Sequence, residues 1–137
     1  MKHRIRPLLL GEAEVPNVLD VFWSLSTDRG RSSVPILGFL ILDAAEGPIV
    51  VDCGMRDPRR AVDIHRLGPH SCSAEQALPA QLKLHGVDAA DVKMLILTHL
   101  HYDHCGNSAQ LPNARIIVQR RELMAAAAPA TGVERLA

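Results

Sequence analysis

The chain has 137 residues, 15 of them basic and 15 acidic, and 47% are apolar, which gives room for one domain with a core and excludes disorder throughout. Balanced charge and only four aromatic residues leave neither the field nor the stacking surface of a nucleic-acid module. Three cysteines without C-x-x-C spacing indicate neither a disulfide framework nor a thiolate zinc site, so a reducing cytoplasm is the expected compartment.

The N-terminus is basic, but the apolar run Leu8 to Leu10 is too short for the core of a secretion signal, and no run reaches the ~18 residues of a membrane span. Arg4 to Val15 reads as an edge strand or hairpin arm interrupted by Pro7 and Gly11. Asn17 to Trp23 is apolar enough to pack, and Ser24 to Ser33 is polar and turn-like. Val34 to Leu42 and Pro48 to Asp52 read as two strands joined by the turn Asp43 to Gly47, which predicts a hairpin.

Met55 to Cys72 shows no period and is expected to be a long loop, with His65 and His70 solvated or bonded locally. Ser73-Ala74-Glu75-Gln76 has capping-box spacing and predicts a helix toward His85-Gly86, kinked or delayed by Pro79. Gly86 is placed to end it. Val92 to Leu97 reads as a buried strand, Ser108 to Pro112 as a helical turn, Arg115 to Gln119 as a strand, and Arg120 to Ala128 as a helix stopped by Pro129. Ala130 to Ala137 carries little signal. This order of elements predicts an α/β domain spanning 1–137, with a helix-covered sheet face.

Directly after the strand Val92 to Leu97 comes Thr98-His99-Leu100-His101-Tyr102-Asp103-His104-Cys105-Gly106-Asn107, in which His99, His101, Asp103 and His104 form an H-x-H-x-D-H pattern. On an extended strand end His99 and His101 share a face, and Asp103 is expected to follow them there. Four such side chains gathered at a strand terminus cost solvation unless something binds them, and imidazole with carboxylate suits a divalent metal: zinc, and also iron, manganese or cobalt. His99 and His101 can pinch one ion, and a turn can aim Asp103 and His104 at a second. Histidines that merely cap the strand are disfavoured by the density of the pattern.

The pattern, with the strand end Val50-Val51-Asp52-Cys53-Gly54, resembles the metallo-β-lactamase superfamily. Within it the T-H-L-H-Y-D-H-C-G-N form and the following Ile116 to Glu122 are most similar to the N-acyl-homoserine lactonase-like members. The resemblance implies an αβ/βα sandwich, a mixed sheet with helices on one face, and a site for two zinc ions. It places His99 and His101 on the first metal and Asp103 and His104 on the second. Asp103 would orient a metal-bridging hydroxide and protonate the leaving oxygen, and Asp52 would hydrogen-bond a ligand histidine. Gly54 and Gly106 would permit tight backbone, and Cys105 reads as a small packing residue.

Lactone ring opening is the activity implied, with thioester or phosphodiester hydrolysis, or a non-catalytic fragment that binds metal or a partner, as alternatives. The superfamily's further histidines and bridging aspartate have no counterpart, because no histidine follows His104, no aspartate follows Asp103, and Glu122 and Glu134 do not match. The expectation is therefore an N-terminal half with an exposed apolar sheet face, for which a homodimer, a complementing C-terminal half or poor solubility is the expected outcome.

Overall fold

The structure is a computed structural model that describes residues 3–15 and 30–129. The stretch Asn17 to Trp23, most of the turn-like segment after it, and Ala130 to Ala137 lie outside the described residues. A long hairpin opens the fold: β1 (Arg4–Val15) runs antiparallel to β2 (Ser32–Leu42), from Arg4 opposite Leu42 to Val15 opposite Ser32. The strand β2 thus starts two residues before Val34.

Gly11 is where the β1–β2 ladder bends. Register passes from Leu9 opposite Leu37 to Gly11 opposite Ile36, so Leu10 is the extra residue of a bulge. The bulge keeps Leu8, Leu10 and Ala13 all buried despite the break in alternation. Gly11 has φ +145°, and a Cβ there would lie 2.6 Å from Met55 Cε and 2.7 Å from the Ser71 carbonyl, so only glycine fits.

The expected hairpin partner of β2 is β3 (Ile49–Val51), paired antiparallel. Beyond it β5 (Met94–Leu97) and β6 (Arg115–Val118) join in parallel, as connections through intervening helices require. The segment Met55 to Cys72 is not a bare loop. It holds a helical turn, α1 (Arg60–Asp63), and a two-residue strand, β4 (His70–Ser71), paired with Glu12 and Ala13 of β1. Such a short strand carries no sequence period; its pairing with β1 defines it. The six-stranded order is β4-β1-β2-β3-β5-β6.

The helix α2 (Leu78–Lys83) starts later than the capping-box spacing predicts, with Pro79 in its first turn. The box still forms half of its bonds, since the Ser73 N–H donates to Gln76 Oε1 at 2.9 Å, but it closes a turn ahead of the helix. Gln81 of α2 accepts the Leu9 N–H at 2.9 Å and so satisfies a donor beside the bulge. Leu78 and Leu82 of α2 pack with Leu8, Leu40, Val50 and Leu95 of the sheet, each fully buried. Burying each such side chain contributes roughly 1.5–3 kcal/mol.

The opposite sheet face alternates out of that core. There Ile5 is 59% exposed, Phe39 42%, Ile117 40% and Leu37 39%. These apolar side chains share one face of the sheet. A helix α4 (Arg120–Ala127) follows β6, close to the predicted bounds. No helix among the described residues is long and apolar enough to cross a membrane.

Candidate metal centre

The site is built where β3 and β5 end side by side. Val51 lies opposite Ile96, and the Asp52 N–H donates to the Ile96 carbonyl at 2.9 Å, extending the ladder by one residue. Crevices at the carboxyl ends of parallel strands are where α/β sheets hold ligands. Asp52 then turns the chain with φ +55°, a left-handed conformation uncommon outside glycine but tolerated by aspartate. Gly54 follows at φ +73°, with a Cβ position only 2.8 Å from Leu10 Cβ.

The Asp52 carboxylate, only 6% exposed as a residue, accepts three hydrogen bonds. Its Oδ1 accepts the Thr98 N–H at 2.9 Å, and its Oδ2 accepts the Thr98 hydroxyl at 2.7 Å and His104 Nδ1 at 2.9 Å. A carboxylate only accepts, so His104 carries its proton on Nδ1 and presents Nε2 as a lone pair. The Thr98 hydroxyl has one proton, and Asp52 takes it. Thr98 Oγ1 must then accept from His99 Nδ1 at 3.0 Å, which leaves His99 Nε2 unprotonated as well. One aspartate therefore sets two imidazole tautomers, one directly and one through a hydroxyl, as metal-ligating histidines require.

Asp103 and His104 reach the site through a helical turn, α3 (Tyr102–Cys105), and not along an extended strand. This corrects the expectation that Asp103 shares the strand face of His99 and His101. His101 is the last extended residue, with ψ 146°, and the first turn of α3 begins after it. The helical turn places the neighbours Asp103 and His104 together, with His104 Nε2 3.6 Å from Asp103 Oδ2. The ring centroid of His99 lies 4.0 Å from that of His104 and 4.6 Å from that of His101.

Electrostatics separate the histidines. Burial lowers the pKa of His104, but its bond to Asp52 and the Asp103 charge outweigh this and hold it above the ordinary value. Burial, then the neighbouring His104 and His101, push His99 below it. Burial also works against the Asp52 carboxylate, yet the His104 and Thr98 bonds keep its pKa low.

Two polar clamps hold α3 in place. The His104 carbonyl accepts the Cys53 N–H at 2.7 Å. Buried Asn107 donates to the Cys53 and Met55 carbonyls at 3.0 and 2.9 Å. Gly106 lets the Arg56 backbone approach, its Cβ position lying 2.7 Å from Arg56 N. On the same turn, Tyr102 is buried and donates its hydroxyl to His70 Nε2 at 2.9 Å, while His70 Nδ1 donates to the Gly68 carbonyl at 2.9 Å. His65 stacks on the Tyr102 ring at 4.4 Å, and its buried Nε2 has no partner among the described residues. His65 and His70 are thus joined to the motif through Tyr102, a link that local reading does not provide. Cys105 packs against the core as a half-buried side chain.

The nitrogen and oxygen donors are of the kind that could hold a divalent metal, with the lone pairs of His99 and His104 directed by their hydrogen bonds. Among the described residues no group of three His, Cys, Asp or Glu side chains forms a ready metal cage.

The sequence model of the Metallo-beta-lactamase superfamily matches residues 35–136. The chain belongs to this superfamily. Among curated relatives, an N-acyl homoserine lactonase from Bacillus cereus is 36% identical over 112 residues, covering 75% of this chain and 44% of the relative. An N-acyl homoserine lactonase AttM from Azorhizobium caulinodans is 50% identical over 48 residues, covering 35% of this chain and 18% of the relative.

Solved structures agree on the fold of this superfamily member. A variant of Bacillus thuringiensis AiiA with N-decanoyl-L-homoserine at its active site superposes with a TM-score of 0.72 at 28% identity, over 92% of this chain and 52% of that one. An N-acyl homoserine lactone hydrolase with N-hexanoyl-L-homoserine bound at its catalytic metal center gives 0.69 at 29% identity, over 94% and 52%. The chain therefore spans about half the length of the proteins it matches. The α/β expectation of a mixed sheet with helices on one face holds in full.

Sequence reading assigned no role to Thr98, Asn107, Tyr102 or His70. Thr98 could have been found from its place between the strand and the first histidine. The His70 pairing has no local signal.

Proposed function

We propose that this chain supplies His99 and His101 to one zinc ion and Asp103 and His104 to a second, in a hydrolase that opens the ring of an N-acyl-homoserine lactone. The observation that carries the reading is the Asp52 carboxylate, which directs the Nε2 lone pairs of His104 and, through Thr98, of His99 into the site. Support for the substrate class comes from the Bacillus cereus and Azorhizobium caulinodans lactonases.

When bound, the metals supply an activated water nucleophile and polarise the lactone carbonyl. The chain's own part is to orient and to move a proton. In this reading Asp103, whose Oδ2 lies 3.6 Å from His104 Nε2, takes the proton given up by the attacking water and passes it to the ring oxygen as the C–O bond breaks. Asp52 stays ionised under its three hydrogen bonds and keeps both imidazoles aimed.

Hydrolytic zinc takes about three protein ligands with one open position. In this reading each ion receives two from this chain, and the remainder come from a second copy or a complementing half that also covers the exposed apolar sheet face. The test combines zinc content by native mass spectrometry with proton release on ring opening of N-hexanoyl-homoserine lactone, on the chain with its complement. Zinc bound and ring opening are both expected to be lost in His101→Ala and Asp103→Ala. Bound zinc with thioester or phosphodiester cleavage and no ring opening would overturn the lactone assignment.

A further inference from the structure

Asp52 and Thr98 fix His104 and His99, which leaves His101 and Asp103. Among the described residues neither of these two side chains donates or accepts a hydrogen bond, and Asp103 Oδ2 stands 3.6 Å from His104 Nε2. Their placement rests on α3, a single turn of four residues with no side-chain cap. So short a helix does not hold its own shape in water. The Cys53 N–H and the Asn107 side chain grip it at and just beyond its C-terminal side. On the other side, between His101 and Asp103, the anchor is Tyr102.

Two residues outside the motif hold Tyr102. His65 stacks on its ring, with centroids 4.4 Å apart and planes 13° apart, and its hydroxyl donates to His70 Nε2 at 2.9 Å. His70 can accept because its other nitrogen is in use. Its Nδ1 donates to the Gly68 carbonyl at 2.9 Å, so the neutral ring keeps its lone pair on Nε2. His70 is itself seated on the scaffold: it pairs with Ala13 of β1, and the Pro69 carbonyl beside it accepts the Glu14 N–H at 2.8 Å. A chain of contacts thus runs from the long antiparallel ladder through β4 and one phenol to the turn that carries the candidate ligands.

We propose that His70, acting through Tyr102, is a positioning residue for His101 and Asp103. What those two side chains hold rests on the zinc reading above. In that reading His101 belongs to one ion and Asp103 to the other, and His99 and His104 divide in the same way. Each ion therefore has one ligand set by Asp52 and one set by His70. The two supports reach the site from different parts of the sheet, since Asp52 follows β3 while His70 lies on β4 at the far edge.

Three variants of the full chain test this. Tyr102→Phe removes one hydroxyl and keeps the stacked ring, His70→Phe removes the acceptor, and His70→Gln puts an amide oxygen in its place. The N–H groups of His104 and Cys105 both donate to the His101 carbonyl, at 2.9 and 3.1 Å. In chelator, their hydrogen exchange is expected to run about fivefold faster in Tyr102→Phe and in His70→Phe, the equivalent of one hydrogen bond. Exchange of the Asp52 N–H, bonded to the Ile96 carbonyl, is expected to stay the same, which a general loss of stability would not allow. Zinc affinity is expected to fall about tenfold in either phenylalanine variant, no further in the double variant, and to recover in part in His70→Gln. Unchanged exchange at His104 and Cys105, an equal rise at Asp52, or affinity losses that add in the double variant would overturn the proposal. A wild type that binds no zinc would overturn the metal reading instead, and the exchange comparison would still decide whether His70 holds the turn.

Discussion

The sheet has two halves that are held together differently. In the antiparallel half, β1 and β2 pair over their whole lengths, and the polar bonds at its ends, Arg4 to Asp43 and Arg31 to Glu14, are exposed and so contribute little beside that long ladder. In the parallel half, β3 and β5 share three paired positions, and β5 and β6 share four. Such short ladders are closed by polar side chains at their ends, chiefly Asp52 across to Thr98 and His104. The long ladder is scaffold. The short one is fastened by the same carboxylate that aims the candidate ligands, so stability and chemistry meet in one residue.

The sharpest way to strain the parallel half is through its core. Leu95 is fully buried on β5, and Leu95→Ala is expected to cost about 2–5 kcal/mol by urea unfolding. Phe39→Ser on the exposed face, at 42% exposure, is expected to change stability by under about 1 kcal/mol. Equal losses from the two would mean that the exposed face is packed in solution.

A second substitution loads chiefly the antiparallel half. Gly11→Ala sets a Cβ against the flexible end of the Met55 side chain at 2.6 Å and against the Ser71 carbonyl at 2.7 Å, and forces a φ of +145° on a residue that avoids it. A loss of about 1–3 kcal/mol is expected, with β4 displaced and the tautomers of His104 and His99 unchanged. Tautomers changing in step with stability would break the separation between the halves.

The smallest expected effect is a pH dependence confined to the parallel half. Asp52 has a lowered pKa, so in the metal-free chain its contribution is present above about pH 4, the ordinary aspartate value, and is lost as pH falls through the folded value. His104 has a raised pKa, so its contribution is complete below about pH 6.5 and is lost as pH rises through the folded value. The stability difference between wild type and Asp52→Asn should therefore be largest between about pH 4 and 6.5. Urea titrations across pH check this, and a flat difference would contradict it.

Much of this was written in the sequence, and the omissions have physical causes. The buried strands β3 and β5, the helix α4 and the H-x-H-x-D-H cluster announce themselves because apolar runs, good helix formers and dense ligands are local signals. The Gly11 bulge, the two-residue β4 and the bond from Tyr102 to His70 are set by pairing between distant segments, and no local period encodes them. The bond from Asp52 to a histidine of the cluster was implied by the family resemblance. The left-handed backbone of Asp52 and its second reach through Thr98 to His99 were not, because both depend on how β3 and β5 end beside each other.

The central claim is that Asp52 fixes the tautomers of His104 and His99. Long-range proton–nitrogen NMR of the imidazoles, on the metal-free chain at about pH 9 where histidine is neutral, reads this directly. Both rings are predicted to carry the proton on Nδ1, and His104 in Asp52→Ala to become a mixture with Nε2–H. A proton on Nε2 of His104 in the wild type, or an unchanged tautomer in the variant, would contradict the account.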